Sequence, residues 1–400
     1  MTKAFAINGK QISLLSNKIL SSIDFPLNID EIILDLLNVF AYVYYFDIKT
    51  DASNRNRISV CVPVSKSNIN LWNRNNKLIV KLLNFVTEGD GDSWSIEFIP
   101  IVYKTIQQQS LFHENDYSNV SLLSGGLDSF CGVSTNKHNE GNSIYCGFKT
   151  NNLDASYINR VYLFAKEKCP NSKLVVFNQV ASSKRFRHQR TRSLLFFSLA
   201  CLLANNYNIP TINVYENGIM TLNPSFQTRG TTRTTHPKTI SLFQNLLNDL
   251  GIEISILHPS LYLTKGEIIN ALDSSFRKKI KDTRSCSRPL IDRRFMKKGV
   301  KSCGACVPCL LRKISLAAYN MEKYDHDYYI PYKGDFSNPE YRSAYNYFHE
   351  FSLAIKQGRI LSELDIRSKY YNEPDFLEKT NDLLFRFNNE LEIFFEKYGR

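Results

Sequence analysis

The hexapeptide Ser124-Gly125-Gly126-Leu127-Asp128-Ser129 constrains this chain more than any other stretch. It follows an apolar run at 120–123 and leads into a helical pattern. Two glycines between a strand and a helix let the backbone approach a ligand with no Cβ in the way. The unpaired N–H groups at the helix start then supply donors and the positive end of a dipole, which suits a phosphate. Ser124 and Ser129 add hydroxyls, and Asp128 can hold a magnesium ion or orient the loop. The plainer reading is a Gly-Gly turn with a serine cap. No G-x-x-x-x-G-K-[ST] occurs anywhere, which excludes a Walker-type kinase or GTPase loop.

The surrounding pattern fits that loop. Short apolar runs at 120–123, 144–148, 174–177, 211–215 and 254–257 alternate with helical stretches at 130–138, 155–168, 190–204 and 239–250. Such alternation predicts βαβ units and a parallel sheet, with ligands beyond the carboxyl ends of the strands. The expected fold class is therefore α/β. Its catalytic domain should span 116–325, following an N-terminal α/β docking domain at 1–115 and preceding a helical extension at 326–400. In the first of these, 28–46 and 71–86 have helical spacing, whereas 57–64 and 94–102 alternate as strands. In the last, 339–356 and 374–397 each open on proline and then show apolar residues at helical spacing.

Cys303-Gly304-Ala305-Cys306-Val307-Pro308-Cys309 is C-x2-C-x2-C, and Cys286 lies 17 positions upstream of it. Four thiolates at this spacing close a tetrahedral zinc site. Iron–sulfur ligation and a reduced buried trio are the alternatives. Cys61, Cys131, Cys146, Cys169 and Cys201 are scattered among apolar residues and read as core. Lysine and arginine number 50 against 38 acidic residues, a balance of +12 that favours an anionic partner or simply a solvated basic surface. No run reaches the ~20 apolar residues of a membrane span. The first 20 residues break any apolar run with Asn, Gln, Ser and Lys, so a cytoplasmic chain without a signal peptide is expected.

The loop resembles that of the PP-loop ATP pyrophosphatases. With the C…CGxCxxCxxR pattern downstream, the chain is similar to the 7-cyano-7-deazaguanine synthase family. Further elements match in order: His188-Gln189-Arg190-Thr191-Arg192-Ser193, with Arg192 at the family's arginine; His258-Pro259; Thr264-Lys265-Gly266-Glu267; and Arg312. The resemblance implies a PP-loop, HUP-like fold, with ATP on Ser124, Gly125, Gly126, Leu127, Asp128 and Ser129. It implies ATP and Mg2+ as cofactors, with Zn2+ held by Cys286, Cys303, Cys306 and Cys309. It implies a ligase that adenylates 7-carboxy-7-deazaguanine and passes it to ammonia, with Asp128, Arg192 and Lys265 in catalytic roles. The family's Ser-Gly-Tyr-Pro-Asp-Cys-Arg stretch is missing. In its place stand Glu216-Asn217-Gly218 and Thr231-Thr232-Arg233-Thr234-Thr235-His236-Pro237. These, with the extra residues at both ends, resemble the QueC-like proteins of anti-phage defence islands, in particular those of Qat systems. That likeness implies a protein partner whose amine replaces ammonia.

Each remaining candidate carries two readings. Arg192 neutralises a phosphate or carboxylate, or is a solvated helix start. Glu216, with Asn217 and Gly218, grips the N–H groups of a guanine-like base, or belongs to a turn. Arg233 and His236 hold substrate, or are structural. Lys265 balances charge at the adenylate, or is a surface lysine. The basic run at 184–192 serves phosphates or an acidic partner; nucleic acid is less favoured. Two other functions compete with the ligase: a PP-loop tRNA-modifying enzyme, and a non-catalytic PP-loop subunit of a defence complex.

Overall fold

The computed structural model describes residues 19–20, 29–50, 57–88, 93–103, 117–135, 142–150, 152–179, 189–224, 233–288 and 299–399. The expected boundary near residue 115, most of the basic run at 184–192, and Thr231 and Thr232 lie outside them. Helix α1 (Glu31–Lys49) comes first, then strand β1 (Ile58–Ser65), helix α2 (Ile69–Thr87) and strand β2 (Trp94–Ile101). β1 and β2 pair in parallel, Ile58 against Trp94 through Ser65 against Ile101.

The central sheet contains β3 (Tyr117–Leu123), β4 (Asn142–Lys149), β5 (Lys173–Asn178), β6 (Thr211–Asn213) and β7 (Ser255–Leu257). Helices α3 (Leu127–Thr135), α4 (Asn152–Lys168), α5 (Arg192–Asn206), α6 (Gly218–Leu222) and α7 (Pro237–Asp249) lie between them. All five strands are parallel, in the order β5-β4-β3-β6-β7. β3 and β6 sit side by side although two strands and three helices separate them in sequence. That reversal creates a crevice at their carboxyl ends, the usual ligand position of an open parallel sheet.

Side-chain alternation sends Val120, Leu122, Ile144, Cys146 and Phe148 to one face, against α5 and α7. Leu123 and Tyr145 face the other way, onto α3 and α4. The first core does not stop at the sheet. Phe40 of α1 packs on Phe243 of α7 at 5.4 Å between ring centroids, and Phe243 packs on Phe197 of α5 at the same distance. The apolar residues of α1, β1, α2 and β2 belong to that one cluster.

Helices α8 (Lys265–Asn270), α9 (Val307–Ala318), α10 (Pro339–Lys356) and α11 (Phe376–Tyr398) complete the chain. The apolar faces of α9, α10 and α11 form a different core, which includes the four clustered cysteines and Ile219 and Leu222 of α6, whereas Ile268 and Ile269 of α8 cluster with Leu123, Leu127 and Tyr145. Among the described residues no helix is long and apolar enough to cross a membrane.

Candidate functional site

Gly125 adopts φ +75°, and a Cβ there would lie 2.7 Å from the backbone of Tyr157 and Ile158 on α4. Only glycine fits, so the turn after β3 stays tight. Ser124 Oγ accepts from the Gly126 N–H at 3.3 Å and lies 3.3 Å from Ser129 Oγ, which itself donates to Gly126 O at 3.1 Å. Leu127 is fully buried beneath the loop and anchors the start of α3.

Three turns meet at the crevice. Asp128, in the first turn of α3, forms an ion pair with Lys265, which lies at the start of α8 and is 3% exposed. Its other oxygen accepts from Asn217 Nδ2 at 2.9 Å. Asn217 caps α6 by accepting from Met220 N at 3.0 Å, and its neighbour Gly218 has room for no side chain beside the Leu261 carbonyl. Partly buried Glu216 feels both charges. Burial first, and then the Asp128 carboxylate, push its carboxyl above the ordinary range, while Lys265 pulls it down. The Glu216 carbonyl is 2.8 Å from His258 Nε2. A carbonyl only accepts, so Nε2 carries the proton; burial pulls this imidazole down to about 4 and keeps it neutral.

Lys265 owes its place to a capping box. Thr264 Oγ1 accepts from Glu267 N at 3.0 Å, and Glu267 Oε2 accepts from Thr264 N at 2.8 Å. The T-x-x-E spacing advertises this in the sequence. Arg192 begins α5, after β5, with its guanidinium 5.9 Å from the centre of the Phe148 ring near the carboxyl end of β4. It therefore stands on the same rim, one strand away from the loop.

Arg233 and His236, expected from sequence to hold substrate, both contact α2. Arg233 pairs with Glu88 at 2.9 Å and lies 4.4 Å above the Phe85 ring of α2. His236 meets the same ring edge-on at 5.2 Å, and its Nδ1 caps α7 by accepting from Lys238 N at 3.1 Å. Burial pulls His236 down to about 3. The aromatic face of Phe85 draws the two cations Arg233 and Lys238, and that attraction fixes this segment on α2.

The second constellation is the cysteine group. The sulfurs of Cys286, Cys303, Cys306 and Cys309 all lie within 4.8 Å of one another, and all four residues are buried. Sulfur acceptors meet backbone donors: Cys306 N and Ala305 N reach Cys303 Sγ at 3.3 and 3.4 Å, and Cys303 N reaches Cys286 Sγ at 3.5 Å. Such N–H···S contacts suit thiolates, so the group could hold a metal ion such as zinc. The wall behind it is polar. Lys313 Nζ donates to the carbonyls of Gly304, Ile330 and Pro331 at 2.7–2.9 Å. Arg312, 0% exposed, pairs with Asp325 at 2.8 Å and donates to Thr283 Oγ1 at 2.8 Å. One residue beyond Thr283, Arg284 N donates to Gly125 O at 3.4 Å, and Cys286 follows two residues later. The metal-type cluster is thereby fastened to the glycine loop.

Cys131, Cys146 and Cys201 are buried, and Cys61 and Cys169 are partly so. A magnesium ion fits less readily at Asp128, because both carboxylate oxygens are already committed to Lys265 and Asn217. No protein-family model matches this chain, and no curated protein matches it.

Proposed function

We propose that the chain is an ATP-dependent C–N ligase of the PP-loop type, forming AMP and pyrophosphate. What carries the reading is the convergence of the Ser124–Ser129 loop, Asn217 and Lys265 at the crevice between β3 and β6. On this reading a triphosphate lies on the loop, with the N–H groups of α3 toward its phosphates. A substrate carboxylate oxygen attacks the α-phosphorus and pyrophosphate leaves; an amine then attacks the acyl carbon and AMP leaves. Magnesium arrives on the triphosphate and screens its charge. Zinc on the four thiolates is structural, holding residue 284 against Gly125.

The substrate class proposed is a 7-deazaguanine-type carboxylate. An ionised Glu216 accepts two N–H bonds side by side, which matches the edge of a guanine-like base. Binding such donors favours the ionised carboxyl. The base should therefore bind more tightly as pH rises through the raised pKa of free Glu216. Glu216→Gln should weaken base binding and leave ATP binding nearly unchanged. The wider proposal is a cytoplasmic role in anti-phage defence, with a partner protein's amine in place of ammonia. The long segments flanking the sheet support it, and a pulldown with the native neighbouring proteins tests it.

The central experiment supplies ATP and 7-carboxy-7-deazaguanine, with and without ammonia, and analyses products by mass spectrometry. AMP with an amidated or nitrile base is expected, and Asp128→Ala should abolish turnover with the fold intact. ADP as the product would overturn the mechanism.

A further inference from the structure

Glu390 lies on α11, far along the chain from the glycine loop, and is 4% exposed. One of its oxygens accepts from the Thr264 hydroxyl, and the backbone N–H of Gly266 favours its ionised form. Gly266 has no space for a side chain, since a Cβ there would overlap Glu390 Oε1 and the Tyr319 ring. Four residues earlier on α11, Arg386 donates to Glu267 Oε1 at 2.6 Å and to the Tyr262 carbonyl at 2.7 Å. Every residue of the capping box that starts α8 is thus gripped a second time, by one helix from the end of the chain. The residue between Thr264 and Gly266 is Lys265, whose ammonium meets Asp128.

A short helix needs such support. Six residues form fewer than two turns and cannot hold themselves in place. A negatively charged or strongly accepting group at a helix N-terminus fixes that end, and here it comes from another element.

We propose that Glu390 is a positioning residue for Lys265: with Arg386, it lets α11 set the turn that aims the ammonium at the Asp128 carboxylate. The consequence for ATP rests on the ligase reading above; the aiming of Lys265 does not. Glu390→Met keeps the side-chain volume and removes the acceptor, whereas Glu390→Gln keeps an acceptor oxygen for Thr264 and Gly266.

The full chain, purified with its metal, is treated with a small amine-acylating ester, and each lysine is followed by peptide mass mapping. In the native protein Lys265 should react at least about tenfold slower than the exposed Lys77. Glu390→Met should raise its rate toward that of Lys77, with buried Lys313 still protected, and Glu390→Gln should stay close to native. Lys265 still protected in Glu390→Met overturns the proposal. Loss of protection at both Lys265 and Lys313 overturns it too, because Glu390 would then support the whole helical cluster. ATP affinity is measured on the same samples, and Glu390→Met should weaken it by about tenfold. If the native chain binds no ATP, the ligase reading fails while the acylation result stands.

Discussion

Helix α1, near the start of the chain, and helix α11, at its end, each deliver a buried carboxylate to a threonine that directly precedes a cation. On α1, Asp47 is 1% exposed and accepts from Thr191 N at 3.2 Å and Thr191 Oγ1 at 2.7 Å; Arg192 follows. On α11, Glu390 accepts from Thr264; Lys265 follows. Both threonines are helix N-caps. The two helices differ in what lies behind them. α1 shares one apolar core with the central sheet, whereas α11 belongs to a separate core built around the cysteines. One brace is therefore inseparable from the sheet, and the other can loosen while the sheet stays folded. Tyr44 reinforces the first by donating to Gln189 at 3.0 Å.

The largest effect should come from removing the first brace. Deleting residues 1–103 strips α1 from α5 and uncovers Phe197, Leu202 and Phe243, all buried in the shared core. Single large-to-small changes in such cores cost about 2–5 kcal/mol each, so losing a whole layer exceeds the stability of an ordinary domain. The truncated chain should be insoluble or lack a cooperative melt. A soluble chain with a native melting transition would separate the two units and break the comparison.

Next in size is the cysteine cluster. Metal analysis should give about one zinc per chain. Cys306→Ser, or a strong chelator, should cost several kcal/mol because metal binding is coupled to folding. Hydrogen exchange should quicken in α9, α10 and α11 while β3, β4 and β5 keep their protection. Uniform loss across the chain would show that the cores are not independent.

Asp47→Ala should cost about 2–4 kcal/mol, since it leaves the Thr191 donors buried without an acceptor. Asp47→Asn, which keeps one acceptor oxygen, should cost less. Urea unfolding measures both. An exposed-residue cost, below about 0.5 kcal/mol, would remove Asp47 from the comparison.

How much of this could be read in the sequence follows the range of the interactions. The glycine loop, the four cysteines and the strand–helix alternation are local, and the elements form near their expected positions. The Thr-x-x-Glu box and Pro237 after His236 are local cap signals as well. The second of these is a signal from which the capping role of His236 could have been read. The braces are not local. Asp47 meets Thr191 across 144 positions, and Glu390 meets Thr264 across 126. Nothing at those carboxylates marks them apart from other acidic residues on amphipathic helices. Phe85, which meets Arg233 and His236, is likewise one apolar residue among many on α2.

The Glu390 brace should also depend on pH. Both Thr191 bonds land on Asp47 Oδ2; on α11, Glu390 Oε2 is buried with no hydrogen-bond partner. Burial is the main influence on Glu390 and pushes it up to about 8; Glu267 adds to the rise, and the Thr264 hydroxyl, Gly266 N–H and Arg386 oppose it. Tyr319, the remaining titratable group packed there, is itself pushed up to about 12 and stays neutral over this range. A carboxyl whose folded pKa is raised binds its proton more tightly in the native state. Its contribution is fully present below the ordinary value of 4.5 and is lost as pH climbs through about 8. The loss is at most about 1.4 kcal/mol per pH unit over that window. Glu390→Gln cannot ionise, so its stability relative to the native chain should improve steadily from pH 5 to pH 8 and then level off. Parallel urea titrations at several pH values provide the measurement. A constant difference would mean that Glu390 is ionised throughout, holding the start of α8 by charge.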